Sequence, residues 1–348
     1  MPTHPTAIDP NRPPQGPLHF VPESIRAVCT DRYGPPSVLA LRDDAPIPEL
    51  GERDVLVRVA AASLNPLDWH FTTGTPYFVR AVAGLRRPKR PTPGADIAGT
   101  VVACGRGVTD WQAGDAVFGE SVRGGGCGEY AALDERHIVA KPTDVSFDDA
   151  AATPAAGLTA LQALRTHAAV QRGDRVLING AAGGVGTFAV QLAHAMGAEV
   201  TGVCSTRNVD MVTRLGATVV DYTVEDITHI SDKFDVLIDN VGNLGAGSVE
   251  LLAPGGRYVM VSGPKANPWI DPLPTMLRTR LRFMRSGRSF HQFTASPRRS
   301  DLATLSEHLQ SGAITPQIDR AIGLDDVAAA LSEIGRGHAP AKIVVHPT

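Results

Sequence analysis

From Ile25 to about Lys141, short apolar runs alternate with glycine and proline: IRAVCT, VLVRVAAASL, IAGTVVACG, DAVFGE, GEYAAL and HIVAKP. Runs of that length, rich in β-branched residues and bounded by turn formers, read as strands, so this part of the chain is predicted to be a β-rich, barrel-like domain. After Pro142 the texture changes to the alanine-rich DDAAATPAAGLTALQALRTHA, a helix pattern. Strands and helices then alternate regularly: RVLING, a helix over 185–197, EVTGVC, a helix over 207–216, TVVDY, FDVLIDNVG, a helix over 244–252, and GRYVMVSG. Such alternation predicts an α/β unit with a parallel sheet and right-handed crossovers. From roughly Pro268 to Thr348 follow the arginine-rich RTRLRFMRSGR, two helices, SDLATLSEHLQSG and LDDVAAALSEIGRG, and a terminal strand AKIVVHP that is expected to return to the first domain. The proline-rich opening, through residue 24, reads as a disordered or extended tail. The expected division is a tail over 1–24, a β-rich domain over 25–150 and 291–348, and an α/β domain over 151–290.

Composition narrows the function classes. The 348 residues are 43% hydrophobic and 20% charged with a formal net charge of -3, which suits a globular chain of two domains and gives no global reason to expect nucleic acid or an anionic membrane as partner. Local basic runs need separate judgement. The arginines at 278, 280, 282, 285 and 288 read as a solvated helix face or a subunit contact, possible in a homodimer, rather than as an anion site. Four cysteines, Cys29, Cys104, Cys127 and Cys204, are far apart with no CxxC pair, as in a cytoplasmic protein with reduced thiols. No apolar run approaches the ~20 residues a membrane span needs, and the opening residues lack a basic region followed by an apolar one.

The stretch INGAAGGVGTF, Ile178 to Phe188, carries the first chemical signal. Glycines between a buried strand and a helix allow a tight turn, admit a phosphate to the backbone and let the helix pack on the strand. The helix beginning near Val185 offers its unpaired N–H groups and the positive end of its dipole to a pyrophosphate. About twenty residues on, an NAD site has an acid for the ribose hydroxyl, whereas this chain reads Val203-Cys204-Ser205-Thr206-Arg207. Ser205 takes the acid's place, and Arg207 can offer a planar guanidinium to a 2′-phosphate, so NADPH is expected over NADH.

Together with NPLDW at 65–69, PGADIAG at 93–99, AGDAVFG at 113–119 and GLTALQAL at 157–164, these residues resemble the medium-chain dehydrogenase/reductase superfamily over nearly the whole chain from Ile25. CSTRN, DYT, DNVG and GHAPAK resemble most its zinc-free quinone oxidoreductase branch, around the group of the reticulon-interacting mitochondrial oxidoreductase and its bacterial relatives. The resemblance implies a Rossmann doubly wound sheet joined to a GroES-like β-barrel catalytic domain. It implies a phosphate loop through Ala182, Gly183, Gly184 and Val185, and an adenosine phosphate pocket through Ser205, Arg207 and Tyr222. It places Asn240 and Val241 at the exit of the fourth strand, Val261 and Phe293 on the nicotinamide side, and Thr159 near the nicotinamide. His338, Ala339 and Pro340 match a cofactor-contacting segment in which Pro340 replaces an arginine. Zinc-dependent members carry a cysteine ligand where this chain has Asn65, a Gly-His-Glu where it has Gly94-Ala95-Asp96, and a four-cysteine lobe that it lacks; no metal is therefore expected.

The chemistry then needs hydrogen-bond donors in place of a metal. Asn65, in the position of the lost ligand, can donate its amide N–H to a carbonyl or quinone oxygen, and Tyr77 in GTPYFVR is a second donor and proton source. The expectation is an NADPH-dependent, zinc-independent oxidoreductase acting on a quinone or an activated C=C or C=O bond of a small molecule. A zinc-type alcohol dehydrogenase and a non-catalytic NADPH-binding protein are the alternatives.

Overall fold

The structure is a computed structural model and describes residues 22–227, 230, 232–263, 273–337 and 339–347. The expected tail falls, up to residue 21, outside the described residues. Seven strands come first: β1 (Ser24–Cys29), β2 (Ala40–Pro46), β3 (Asp54–Leu64), β4 (Asp96–Cys104), β5 (Ala116–Glu120), β6 (Tyr130–Asp134) and β7 (Ile138–Ala140). Helices α1 (Pro66–Thr73) and α2 (Arg80–Ala83) sit between β3 and β4, and α3 (Phe147–Ala152) and α4 (Pro154–Leu161) follow β7. The second sheet is built from β8 (Arg175–Asn179), α5 (Gly184–Ala195), β9 (Glu199–Cys204), α6 (Val209–Arg214), β10 (Thr218–Asp221), β11 (Phe234–Asp239), β12 (Leu252–Met260), α7 (Leu273–Phe283) and β13 (Ser289–Gln292). The chain closes with α8 (Arg299–Gln310), β14 (Ile318–Gly323), α9 (Val327–Arg336) and β15 (Lys342–His346).

The second sheet is all parallel in the order β10-β9-β8-β11-β12-β13, the doubly wound order of dinucleotide-binding sheets, with its switch point between β8 and β11. Both faces are buried. Val176 and Ile178 of β8 and Val236 and Ile238 of β11 point into one cluster with α4, α5 and α8, while Leu177 and Leu237 point into another with Tyr258 and Phe283. The first sheet runs β14-β15-β3-β4-β5-β7 with β6 also on β3, and β1 and β2 form a separate hairpin. β15 lies antiparallel on β3, so the last strand completes the sheet begun by the third.

Three strands were not visible as apolar runs. β2 buries only Ala45, β14 alternates half-buried and exposed positions, and β13 pairs only with β12 at the sheet's edge. An edge strand buries little, so its sequence carries little pattern. The helix expected over 244–252 is a 3₁₀ helix over Gly245–Leu251. Among the described residues no helix is long and apolar enough to cross a membrane.

Candidate active site

At the end of β8 the chain turns at Gly180, whose φ of +76° suits glycine. Gly183 is the N-cap of α5, and no side chain caps that helix, leaving its first-turn N–H groups for a ligand or water. The glycines divide the labour. A Cβ on Gly186 would stand 2.1 Å from the Gly180 carbonyl oxygen, so this residue lets helix and strand close up. A Cβ on Gly183 would meet only the Gly180 oxygen at 3.5 Å, and one on Gly184 would meet the Lys342 stem at 3.1 Å and the Ala341 oxygen at 3.4 Å. Here the backbone lies bare toward a space that side chains would fill, which fits a pyrophosphate. Val185 is half-buried at the same helix start. The Ala341 N–H donates to the Ala182 oxygen at 2.9 Å, which runs half-buried Ala339 and Pro340 up to the loop; His338 lies outside the described residues.

Ser205, Arg207 and Tyr222 gather where β9 and β10 end. Ser205 Oγ accepts from Asn208 Nδ2 at 3.2 Å, Arg207 is exposed on the turn Thr206–Asn208, and the Tyr222 N–H donates to the Cys204 oxygen at 3.1 Å with its side chain exposed. Asp221 accepts from Thr223 Oγ1 at 2.7 Å, and hydrogen bonds from Thr206 and Thr223 hold its carboxyl below the usual carboxylate range.

Across the switch point, Asp239 organises the exit of β11. Fully buried, it accepts from Asn179 Nδ2 (2.8 Å), the Val241 and Gly242 N–H groups (3.1 and 2.8 Å) and the Tyr258 hydroxyl (2.8 Å). Asn240 donates through Nδ2 to the Asn179 oxygen at 3.1 Å, which leaves its buried Oδ1 without a partner among the described residues. A buried acceptor of this kind takes a donor from water or from a bound group. Val241 is exposed beside it, and Val261, just past β12, is half-buried. Phe293 stacks on His167 with ring centroids 4.2 Å apart.

The chemical end is a buried polar cluster. Asn65 precedes Pro66 at the start of α1, and its N–H donates to Asp68 Oδ2 at 2.8 Å; the other Asp68 oxygen accepts from the Gly94 N–H at 2.8 Å. The Asn65 side chain is thereby turned to Asp96 and Lys342. Its Nδ2 donates to Asp96 Oδ2 at 2.9 Å, and its Oδ1 accepts from Lys342 Nζ at 2.6 Å. Lys342 also lies 3.2 Å from Asp96 Oδ2, and both are buried. Asp96 further accepts from Ser63 Oγ at 3.0 Å and from the Ala155 N–H at 2.8 Å, and Thr159 donates to the Ala155 oxygen at 2.6 Å one turn along α4. With a carboxylate on one side and an ammonium on the other, only one orientation of the Asn65 amide satisfies both. Among the described residues Nδ2 donates to Asp96 alone.

Two more acids face the cluster. Burial pushes Asp68 up to about 6 against its backbone donors. Burial, then the charge of Asp96, pushes Glu120 up to about 8. Tyr77 stands on the turn beyond α1, where the Arg80 guanidinium lies 4.7 Å from its ring and 4.6 Å from that of Tyr33. Sequence reasoning did not assign Lys342, Asp68 or Glu120 a role; the signal for Lys342 was the AKIVVHP strand itself, a lysine at the head of an otherwise apolar strand. Among the described residues no group of three or more His, Cys, Asp or Glu is placed to hold a metal ion.

Comparison with known proteins decides the family. Residues 51–143 match the alcohol dehydrogenase GroES-like domain and residues 215–345 the family described as zinc-binding dehydrogenase. The chain is 32% identical over 340 residues to a 2-methylene-furan-3-one reductase of Solanum lycopersicum, covering 94% of this chain and 80% of that one. The chain belongs to the medium-chain dehydrogenase/reductase superfamily, in its quinone oxidoreductase branch. It is also 31% identical to a chloroplastic NADPH-dependent alkenal/one oxidoreductase of Arabidopsis thaliana, covering 94% and 81% of the two chains. The quinone oxidoreductase structure from Coxiella burnetii superposes with a TM-score of 0.81 at 31% identity, covering 93% of this chain and 99% of that one. These relatives are oxidoreductases, and members of the superfamily use nicotinamide cofactors.

Proposed function

We propose that this oxidoreductase is NADPH-dependent and zinc-independent and reduces a quinone or an activated C=C or C=O bond. One observation carries the reading: a buried amide, Asn65, is clamped by Asp96 and Lys342, while the Lys342 stem also borders the bare backbone of Gly184. The donor for the substrate and the seat for the cofactor's phosphates thus share one lysine. Bound NADPH supplies a hydride. Asn65 Nδ2 donates its second hydrogen to the substrate oxygen on which negative charge builds, and the Lys342 ammonium against Oδ1 draws electron density from the amide and strengthens that donor. Glu120, protonated up to about pH 8, is a proton reservoir next to the cluster, and Tyr77 is a second proton source.

Arg207 beside Ser205 favours a 2′-phosphate, and the NADPH named for the Arabidopsis relative agrees with that choice. The zinc of the family description does not fit. Asn65 and Ala95 stand where the resemblance puts the cysteine and histidine ligands, neither offers a thiolate or an imidazole, and the Lys342 ammonium already lies 2.6 Å from Asn65 Oδ1 and 3.2 Å from Asp96 Oδ2.

The test is the rate of NADPH and of NADH oxidation against a panel of quinones, enones and aldehydes, with and without EDTA. Turnover with NADPH on quinones or enones, indifferent to EDTA, is expected. Tight NADPH binding with no turnover would leave a non-catalytic binding protein, and one zinc per chain with EDTA-sensitive alcohol oxidation would overturn the metal-free reading.

A further inference from the structure

Between Trp69 and Ala95 the chain has no aspartate or glutamate but five cations, Arg80, Arg86, Arg87, Lys89 and Arg90, in a protein whose formal net charge is -3. The structure separates these five. Arg80 is sandwiched by Tyr33 and Tyr77, and Arg90 is half-buried over the Phe71 ring at 3.8 Å. Arg86, Arg87 and Lys89 are exposed, and among the described residues none of them forms an ion pair. Phe78, Val82 and Leu85, in the same stretch, are 52%, 73% and 76% exposed.

This stretch is held in shape. The Lys89 N–H donates to the Ala83 oxygen at 2.7 Å, the Tyr33 hydroxyl donates to the Gly84 oxygen at 2.6 Å, and Ala83 and Pro88 are buried beneath. Gly84 has a φ of +119°, and a Cβ there would stand 2.2 Å from the Arg87 oxygen, so the turn that projects Leu85 to Arg87 needs glycine. Single exposed apolar residues are ordinary. Three of them on one anchored turn with three unpaired cations is the composition of a surface that seats at a lipid interface, apolar side chains at the acyl boundary and cations among anionic headgroups.

We propose that the Phe78–Lys89 turn docks the protein on an anionic lipid surface. A soluble acidic partner would account for the cations and leave the three apolar side chains unexplained. The turn leads directly into Arg90, whose charge faces Asp68 and Glu120 of the buried cluster, so docking would set the cleft beside the bilayer. Delivery of an apolar substrate from the bilayer to that cluster would be a further consequence, and it alone rests on the quinone reading.

The experiment is co-sedimentation of the full chain, without cofactor or substrate, with vesicles of phosphatidylcholine and with vesicles of equal phosphatidylcholine and phosphatidylglycerol, at low and high salt. Its result is independent of turnover. Binding to the anionic vesicles that weakens with salt is expected. Arg86→Glu with Arg87→Glu and Lys89→Glu should lower the partition ~10-fold or more, and Phe78→Ser with Leu85→Ser should lower it with every cation intact. Thermal unfolding of each variant beside the parent checks that it is folded. No sedimentation of the parent with anionic vesicles overturns the proposal, as do variants that partition like the parent. Equally strong binding to soluble polyglutamate, unaffected by Phe78→Ser with Leu85→Ser, would point to an acidic protein and also overturn it.

Discussion

The phosphate loop takes its parts from one stretch, Asn179 to Gly186, whereas the Asn65 cluster draws on Ser63, Asp96, Ala155 and Lys342, which are up to 277 positions apart from Asn65. The loop is bare backbone with no buried charge of its own. The cluster is an ion pair out of water whose carboxylate accepts from Ser63, Asn65, Ala155 and Lys342. A loop of backbone is specified by residues that must be small, and it tolerates change wherever a new side chain meets only a flexible neighbour. A buried charge network is specified by partners brought in from distant strands, and it fails when one of them is lost. The two ends of the cleft should therefore break differently.

The largest effect belongs to the ion pair. Lys342→Met leaves Asp96 buried without its counter-ion, which should cost about 3–5 kcal/mol in urea unfolding at neutral pH. Adding Asp96→Asn removes the stranded charge and should recover part of that loss. A Lys342→Met protein within about 1 kcal/mol of the parent would show that the pair does not stabilise the sheet in which β15 and β4 flank β3.

Next comes Asn65→Ala, which removes a donor without stranding a charge, since Asp96 keeps Ser63, Ala155 and Lys342. Loss of one preorganised donor to a developing oxyanion should lower kcat by ~10²–10³ with cofactor affinity unchanged. Single-turnover rates and a fluorescence titration with NADPH separate the two. A weakened cofactor and an intact rate would move Asn65 from the substrate's side to the cofactor's.

How much of this the sequence carried follows from the same contrast. RVLING before the glycines and the helix after them are local, and the β8 to α5 turn emerged with its motif intact because strand period, glycine and helix start all lie within eleven residues. Asn65 was singled out through resemblance to a ligand position, but what orients it is not local: Lys342 lies on β15, the last strand of the chain, which pairs with β3. No pattern within the AKIVVHP strand announces that its lysine will meet Asn65. Edge strands β13 and β14 went unread for a different reason: β13 has no fully buried position, and the half-buried face of β14 carries Arg320 between Ile318 and Ile322, so its alternation of burial is not an alternation of apolar residues.

On the loop's side, Arg207→Ala should raise the dissociation constant for NADPH by ~10–100-fold, the value of one or two charge-assisted hydrogen bonds, and leave NADH within about twofold. Calorimetric titration with each nucleotide reads this. Equal losses would remove the 2′-phosphate from Arg207 and leave it a solvated residue at the helix start.

The last effect is read as a slope. Glu120 is raised from its ordinary 4.5 to about 8, by burial first and then by Asp96 and Asp68, with Arg90 and Lys342 opposing. Between those values the native state holds a proton that the unfolded chain has released, so stability falls as pH rises and the loss is complete above about 8. Asp68 acts with the same sign, but only between 3.8 and about 6. His137 and His167, whose imidazoles burial holds below 6.5, act with the opposite sign near their ordinary value. The difference between parent and Glu120→Gln cancels these other groups. From pH 6 to pH 8 the parent's unfolding temperature should fall relative to that of the variant, and differential scanning calorimetry at a series of pH values measures the gap. Parallel curves over that window would mean that Glu120 is ionised in the native cluster, and the proton held beside Asn65 and Lys342 would have to come from elsewhere.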